Sequence, residues 1–133
     1  ISDGDVSGVI ATSNPFSGID IYMGIGGAPE GVLAAAALRC VGGQMQARLN
    51  FNSEDEILRA KKLGIDDLNK KYFLNDLASS DSMFAATGVT DGSMLKGVRI
   101  NGSKAYTESV VMRSISGTVR TIKSSHNLLL KTY

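Results

Sequence analysis

The stretch Ile19-Asp20-Ile21-Tyr22-Met23-Gly24-Ile25-Gly26-Gly27-Ala28-Pro29-Glu30-Gly31 runs without a break into residues 32–41 and sets the expected architecture. Ile19, Ile21, Met23 and Ile25 alternate with Asp20, Tyr22 and Gly24, the period of two that places successive side chains on opposite faces of a sheet. Gly24, Gly26 and Gly27 then permit a sharp turn and close approach of a ligand to the backbone, while Pro29 suits the first turn of a helix, where its missing N–H costs nothing. From Val32 the period lengthens. Val32, Leu33, Ala36, Ala37, Cys40 and Val41 form one stripe, the opposite side adds Ala34, Ala35, Leu38 and Arg39, and Gly42-Gly43 stops the helix. A helix apolar on nearly every side is predicted to be buried, and strand, glycine turn and helix together predict an α/β fold.

A glycine turn entering a helix N-terminus favours anions, because unpaired backbone N–H groups and the positive end of the helix dipole converge there. Glu30, a carboxylate in that first turn, admits two readings: it complements the dipole, or it holds a divalent cation that in turn holds a phosphate. Two nucleotide-binding loops are excluded. A dinucleotide fingerprint requires glycine where Pro29 stands, and a triphosphate P-loop requires lysine where Val32 stands.

Elsewhere the chain reads as alternating short elements. Val6, Val9, Ile10 and Ser13 recur at helical spacing after Asp5, and Asn14-Pro15 closes that segment; Asp5 then reads as a cap and Asp3 as a turn residue. Residues 44–50 alternate as a strand, with Arg48 on its polar face, either solvated or a phosphate ligand. Ser53-x-x-Glu56 opens a charged helix over residues 53–62 that Gly64 closes. A short strand is expected at residues 72–74, with Asn75 capping a turn after it. The apolar run 83–89 suits a buried strand, with Thr87-Gly88 at its carboxyl end beside the site. Asn101-Gly102 and Ser116-Gly117 then mark two antiparallel hairpins. Arg113, Arg120, Lys123 and His126 fall on those strands, as a solvated face or as a cationic rim for a second phosphate.

With 14 basic and 13 acidic residues in 133, the formal charge of +1 gives no field for nucleic acid or membrane, so anion binding must come from local placement. The single cysteine, Cys40, lies on the apolar helix, where a buried thiol is the expected role and a reducing compartment fits. No apolar run approaches the ~18 residues of a membrane span. Repeats, low-complexity tracts and flexible linkers are absent from the sequence, which predicts one domain over residues 1–133.

Gly24-Ile25-Gly26-Gly27-Ala28-Pro29-Glu30-Gly31 resembles the signature segment of the class II fructose-1,6-bisphosphatases. These are metal-dependent sugar phosphatases related to the lithium-sensitive phosphatases, and in cyanobacteria they also act on sedoheptulose 1,7-bisphosphate. Asp3-Gly4-Asp5-Val6, Met45-Gln46-Ala47-Arg48-Leu49, Phe84-Ala85-Ala86-Thr87-Gly88-Val89-Thr90-Asp91-Gly92 and Thr107-Glu108-Ser109-Val110-Val111-Met112-Arg113-Ser114 resemble further family segments in the same order. The resemblance covers essentially the whole chain and matches only the C-terminal part of such an enzyme. It implies a layered sugar-phosphatase sandwich, with a mixed sheet and antiparallel hairpins at the C-terminal end. It also implies that the metal-binding N-terminal half lies elsewhere, so that this chain is a fragment, a proteolytic product or one piece of a split chain. By the same resemblance Asp3, Gly4, Asp5 and Gly27 contact substrate, Glu30 binds Mn²⁺ or Mg²⁺, and no residue here is assigned to catalysis itself. The implied partners are fructose 1,6-bisphosphate, possible sedoheptulose 1,7-bisphosphate, the N-terminal half and further copies in a homo-oligomer, in a cytoplasmic enzyme. The alternative is a sugar-phosphate or anion-binding module without catalysis.

Overall fold

The structure, a computed structural model, describes residues 5–131; Asp5 is described as a helix residue without its side chain. The sequence folds as α/β around helix α2 (Ala28–Val41). Its start and stop are local. Gly27 is the N-cap, Pro29 occupies the first turn, and Gly42 ends the helix in the left-handed conformation that glycine adopts without penalty, its N–H donating to the Leu38 carbonyl. The buried residues are Ala34, Ala35, Ala37, Leu38 and Cys40, whereas Val32 and Leu33 are exposed. The covered face is therefore centred on the alanines and Leu38 and not on the wider stripe that begins at Val32, because small side chains let the sheet approach closely and no described element covers Val32 and Leu33.

Beneath α2 lies a sheet of β3 (Met83–Thr87), β4 (Arg99–Asn101), β5 (Lys104–Arg113) and β6 (Thr118–Asn127). The long strand β5 pairs with β6 along its whole length on one edge and with β3 and then β4 on the other. Phe84 opposite Met112 and Ala86 opposite Val110 face inward, and with Ala37, Cys40 and Leu95 they make the core. Helix α1 (Asp5–Ala11) adds Val6 and Ile10 to its margin. Both turn signals hold: Gly102 and Gly117 take positive φ at the β4–β5 and β5–β6 connections. The reverse face of the sheet carries Met83, Ile100 and Ile122, all exposed.

Other elements are peripheral. Helix α3 (Glu54–Lys62) begins as expected from the Ser53 cap, whose hydroxyl accepts the Glu56 N–H. A two-stranded ribbon pairs β1 (Gln46–Ala47) with β2 (Tyr72–Phe73), so the strand expected over residues 44–50 shortens to what its partner covers. The turn helix α4 (Leu74–Leu77) is capped by Asp76, which accepts the Phe73 N–H; Asn75 instead accepts from Arg39.

Two expectations are corrected. Every pairing among the described residues is antiparallel, so the sheet here is not mixed. Residues 19–25 form no strand: Ile21, Met23 and Ile25 are more than 70% exposed and the segment joins no ladder. Alternation supplies two faces, but a strand also needs a neighbour for its N–H and C=O groups, and no described strand pairs with this one.

The segment from Gly88 to Val98 forms a tight loop. Val98 N–H donates to the Val89 carbonyl, Gly92 N–H to Leu95, and Gly97 N–H to Asp91 Oδ1 at 2.9 Å. Gly88 lies directly on the Lys96 carbonyl, leaving no room for a β-carbon. Gly88→Ala should therefore cost about 1–3 kcal/mol by overpacking, read as a lower denaturant midpoint. Leu38→Ala, at a site only 1% exposed, should cost about 2–5 kcal/mol by leaving a cavity in the same assay.

Candidate functional site

Helix α2 runs opposite to β3, so its N-terminus meets the carboxyl end of that strand. Its other end is fixed by Cys40, whose Sγ donates to the Ser82 carbonyl just before β3. Where the helix start, α1, β3 and the Gly88–Val98 loop converge there is a cavity of about 380 Å³. That volume lies in the range of small-molecule sites, roughly 300–1,000 Å³. Its apolar floor is Val6, Phe84, Ala86, Met94 and Leu95, and the polar groups on its wall include Glu30, Ser7, Thr87 and Thr90.

Among the described residues Glu30 is the one carboxylate on this wall. Its Oε2 accepts the N–H of Gly27 at 2.8 Å, closing a reciprocal cap on α2. A β-carbon at residue 27 would stand 3.0 Å from that oxygen, which accounts for glycine here although φ is ordinary. The dipole-complementing role of Glu30 is thus present in the geometry. It leaves Oε1 and the remaining lone pairs of Oε2 for a second partner, since a carboxylate accepts at about four positions. Among the described residues no three His, Cys, Asp or Glu side chains gather as a metal cluster. Glu30 can therefore supply one oxygen of the six to eight that Ca²⁺-like, or six that Mg²⁺-like, coordination takes. Asp3 and Gly4 lie outside the described residues, as does the side chain of Asp5; the Asp5 backbone opens α1, whose Val6 and Ser7 line the cavity.

The four cations singled out on the hairpins do not form a rim. The β5–β6 register sends Arg113, Arg120 and His126 to the outer face and Lys123 to the inner one, opposite Glu108. Arg120 and His126 stand six residues apart on one strand, about 20 Å at a strand's rise. His126 Nε2 meets Thr107 Oγ1 at 3.0 Å, and that hydroxyl, not a carboxylate, is what orients the ring. Arg48 is exposed and absent from the cavity. Cys40 is a buried core thiol, and burial pushes its pKa up, away from nucleophilic use.

The loop wall was the part least visible in sequence. Thr87-Gly88 was placed by the strand pattern, but Thr90, Met94 and Leu95 reach the cavity only because the loop folds back through Asp91 and Gly97. The spacing of Gly88, Gly92 and Gly97 was the available signal.

The sequence pattern of the family described as bacterial fructose-1,6-bisphosphatase, glpX-encoded, matches residues 1–126. The fructose-1,6-bisphosphatase class 2 of Haemophilus influenzae is 43% identical across 96% of this chain and 42% of its own length. Two Synechococcus proteins, from strains JA-2-3B'a(2-13) and JA-3-3Ab, are named D-fructose 1,6-bisphosphatase class 2/sedoheptulose 1,7-bisphosphatase. Each is 42% identical across 95% of this chain and 40% of its own length. The chain thus spans about two fifths of the length of these relatives. A pattern matched almost from end to end, with Glu30 and the Gly88–Val98 loop meeting at one cavity inside it, makes this chain a member of the glpX-type bacterial fructose-1,6-bisphosphatase family.

Proposed function

We propose that this chain supplies the sugar-phosphate contacts and one metal ligand of an enzyme that hydrolyses the 1-phosphate of fructose 1,6-bisphosphate, giving fructose 6-phosphate and phosphate. The observation that carries the reading is Glu30, held at the start of α2 by Gly27 and facing a cavity of suitable size. The rest of the family's length supplies the other carboxylates. Sedoheptulose 1,7-bisphosphate is a second substrate on the strength of the Synechococcus names.

Each local feature has a task in that reaction. The helix start favours the negative phosphate through its dipole, and Gly26 and Gly27 carry no side chain to obstruct it. Asp3 and Asp5 accept hydrogen bonds from sugar hydroxyls, and Gly4 lets the ring come close. Phe84, Met94 and Leu95 keep water from one side of the pocket, which strengthens every polar contact within it. Glu30 fits an oxygen-ligated cation such as Mn²⁺ or Mg²⁺ through the acceptor positions its cap leaves open. Such an ion, when bound, polarises the phosphate and lowers the pKa of an attacking water.

In the whole enzyme the exposed strand-like residues 19–25 join a ladder and the bare outer face of the sheet is covered, giving the layered sandwich of the lithium-sensitive phosphatases. The enzyme is cytoplasmic and associates as a homo-oligomer; no helix of the described residues is long and apolar enough to cross a membrane. A second reading, a sugar-phosphate-binding module without catalysis, is favoured by Glu30 being the one carboxylate at the cavity among the described residues.

Phosphate release from fructose 1,6-bisphosphate with Mn²⁺ separates the two readings. This chain alone should show no turnover, and activity should appear on adding the rest of the family sequence; binding without turnover in the reassembled protein would leave the module. In that reassembled enzyme Glu30→Gln should lose most activity while keeping its stability, because glutamine can still accept the Gly27 N–H but lacks the charge a hard cation needs. Its Mn²⁺ requirement should rise sharply, and superimposable Mn²⁺ titrations of both proteins would return Glu30 to helix capping alone.

A further inference from the structure

We propose that Glu108 is a positioning residue for the cavity: its carboxylate fastens the Gly88–Val98 loop to β5 and so sets the shape of the wall that meets the ligand. The inference rests on the sugar-phosphate reading for what the wall binds, but the fastening itself stands on geometry. Glu108 Oε2 accepts the Lys96 N–H at 2.7 Å, twelve residues away, while the Glu108 carbonyl accepts the Gly88 N–H at 3.0 Å. One residue therefore holds both the entry of the loop and its returning arm. The Glu108 side chain is only 15% exposed, and Lys123, directly across the β5–β6 ladder, brings its Nζ to 3.5 Å from Oε1.

Among the described residues the loop's other backbone bonds are internal. Gly97 to Asp91, Gly92 to Leu95 and Val98 to Val89 close it on itself without tying its tip to the sheet. Leu95 anchors it through the core, but a hydrophobic contact tolerates sliding that a short hydrogen bond does not. The Lys96 amide is the donor that would exchange Glu108 for water, and a bond to a carboxylate is roughly twice as strong as one between neutral groups. Thr90, Met94 and Leu95, between the two fastened points, are loop side chains that line the cavity. Lys123 is 80% exposed, so its contribution is to orient Glu108 and not to hold the loop by itself. The carboxyl is held below the usual glutamate range, first by the Lys96 N–H and then by Lys123, as a group occupied in its charged form should be.

The test is amide hydrogen exchange on this chain, with Glu108→Ala and Glu108→Gln beside the wild type. Glu108→Ala should raise exchange at Gly88, Lys96 and Gly97 by roughly tenfold or more, the loss expected for a charge-assisted bond, and leave the Val110 and Thr121 amides unchanged. Glu108→Gln keeps an acceptor oxygen and should recover part of that protection. Unchanged exchange at Lys96 overturns the proposal, and so does an equal rise along the whole β5–β6 ladder. Should the alanine variant fail to fold, the glutamine variant decides alone, since faster exchange confined to the loop supports the fastening and none refutes it. A second arm titrates the enzyme reassembled with the rest of the family sequence with fructose 1,6-bisphosphate and Mn²⁺, and follows the Gly88 and Thr90 amides. Wild-type binding that weakens with the loosened loop supports the positioning role, and equal binding by wild type and a loosened variant overturns it. No wild-type binding, with loop protection intact, defeats the sugar-phosphate reading and leaves the fastening standing.

Discussion

The close approach of α2 to the β3–β5 pair is the constraint on which the rest depends. Ala34, Ala35 and Ala37 are buried to 3% exposure or less, and Ala37 and Cys40 meet Phe84, Val110 and Met112 across the interface. Larger residues along that line would lift the helix, and an overpacked interface shifts backbones at a cost of about 1–3 kcal/mol. The helix is about 21 Å long at 1.5 Å per residue. Fixing Cys40 beside Ser82 therefore fixes Glu30 beside the far end of β3. The site is a consequence of this packing: the chemical residue sits in the first turn, and the alanines about one to two turns away decide where it points.

Most of what depends on near neighbours was legible in the chain. Pro29 and Gly42 bound α2, Ser53 opens α3, and the glycines at 102 and 117 turn the hairpins, because each signal acts within four residues of its effect. What failed depended on distant partners. The alternation of residues 19–25 describes a strand, yet pairing is decided by another strand's edge, which the segment itself does not encode. The exposed side of α2 failed for the same reason, since Val32 and Leu33 have the character of core residues but no described element above them. At the site, Gly27 and Glu30 were readable as a helix start. The Glu108 to Lys96 bond was not, because its donor is a backbone amide and carries no residue-specific mark.

The two readings of Glu30 prove compatible. Capping engages one oxygen with the Gly27 N–H, and the same hydrogen bond orients the carboxylate toward the cavity. A ligand so anchored loses less rotamer entropy on meeting a cation than a free glutamate would, which is the value of preorganisation at a metal site. Gly27 is then essential in two ways: its amide orients Glu30, and its missing β-carbon leaves the oxygen its place.

The arrangement also explains how an open cavity can take its floor from the core and yet be short of charge among the described residues. Its floor is core, supplied by α1, β3 and Leu95, so it forms whenever the sheet and helix pack. Among the described residues its charge is a single carboxylate, which repels a phosphate unless a cation intervenes. A Glu30 anion beside an anionic substrate is favourable only if both share a positive partner, and the α2 dipole amounts to about half an elementary charge. Further charge must reach this wall from a cation held by additional carboxylates, as the proposed reaction requires. The exposed residues 19–25 lie directly before Gly26 and Gly27 in the chain, so the same association that pairs them would bring those ligands to the start of α2. Completion of the sheet and completion of the metal site are, on this reading, one event.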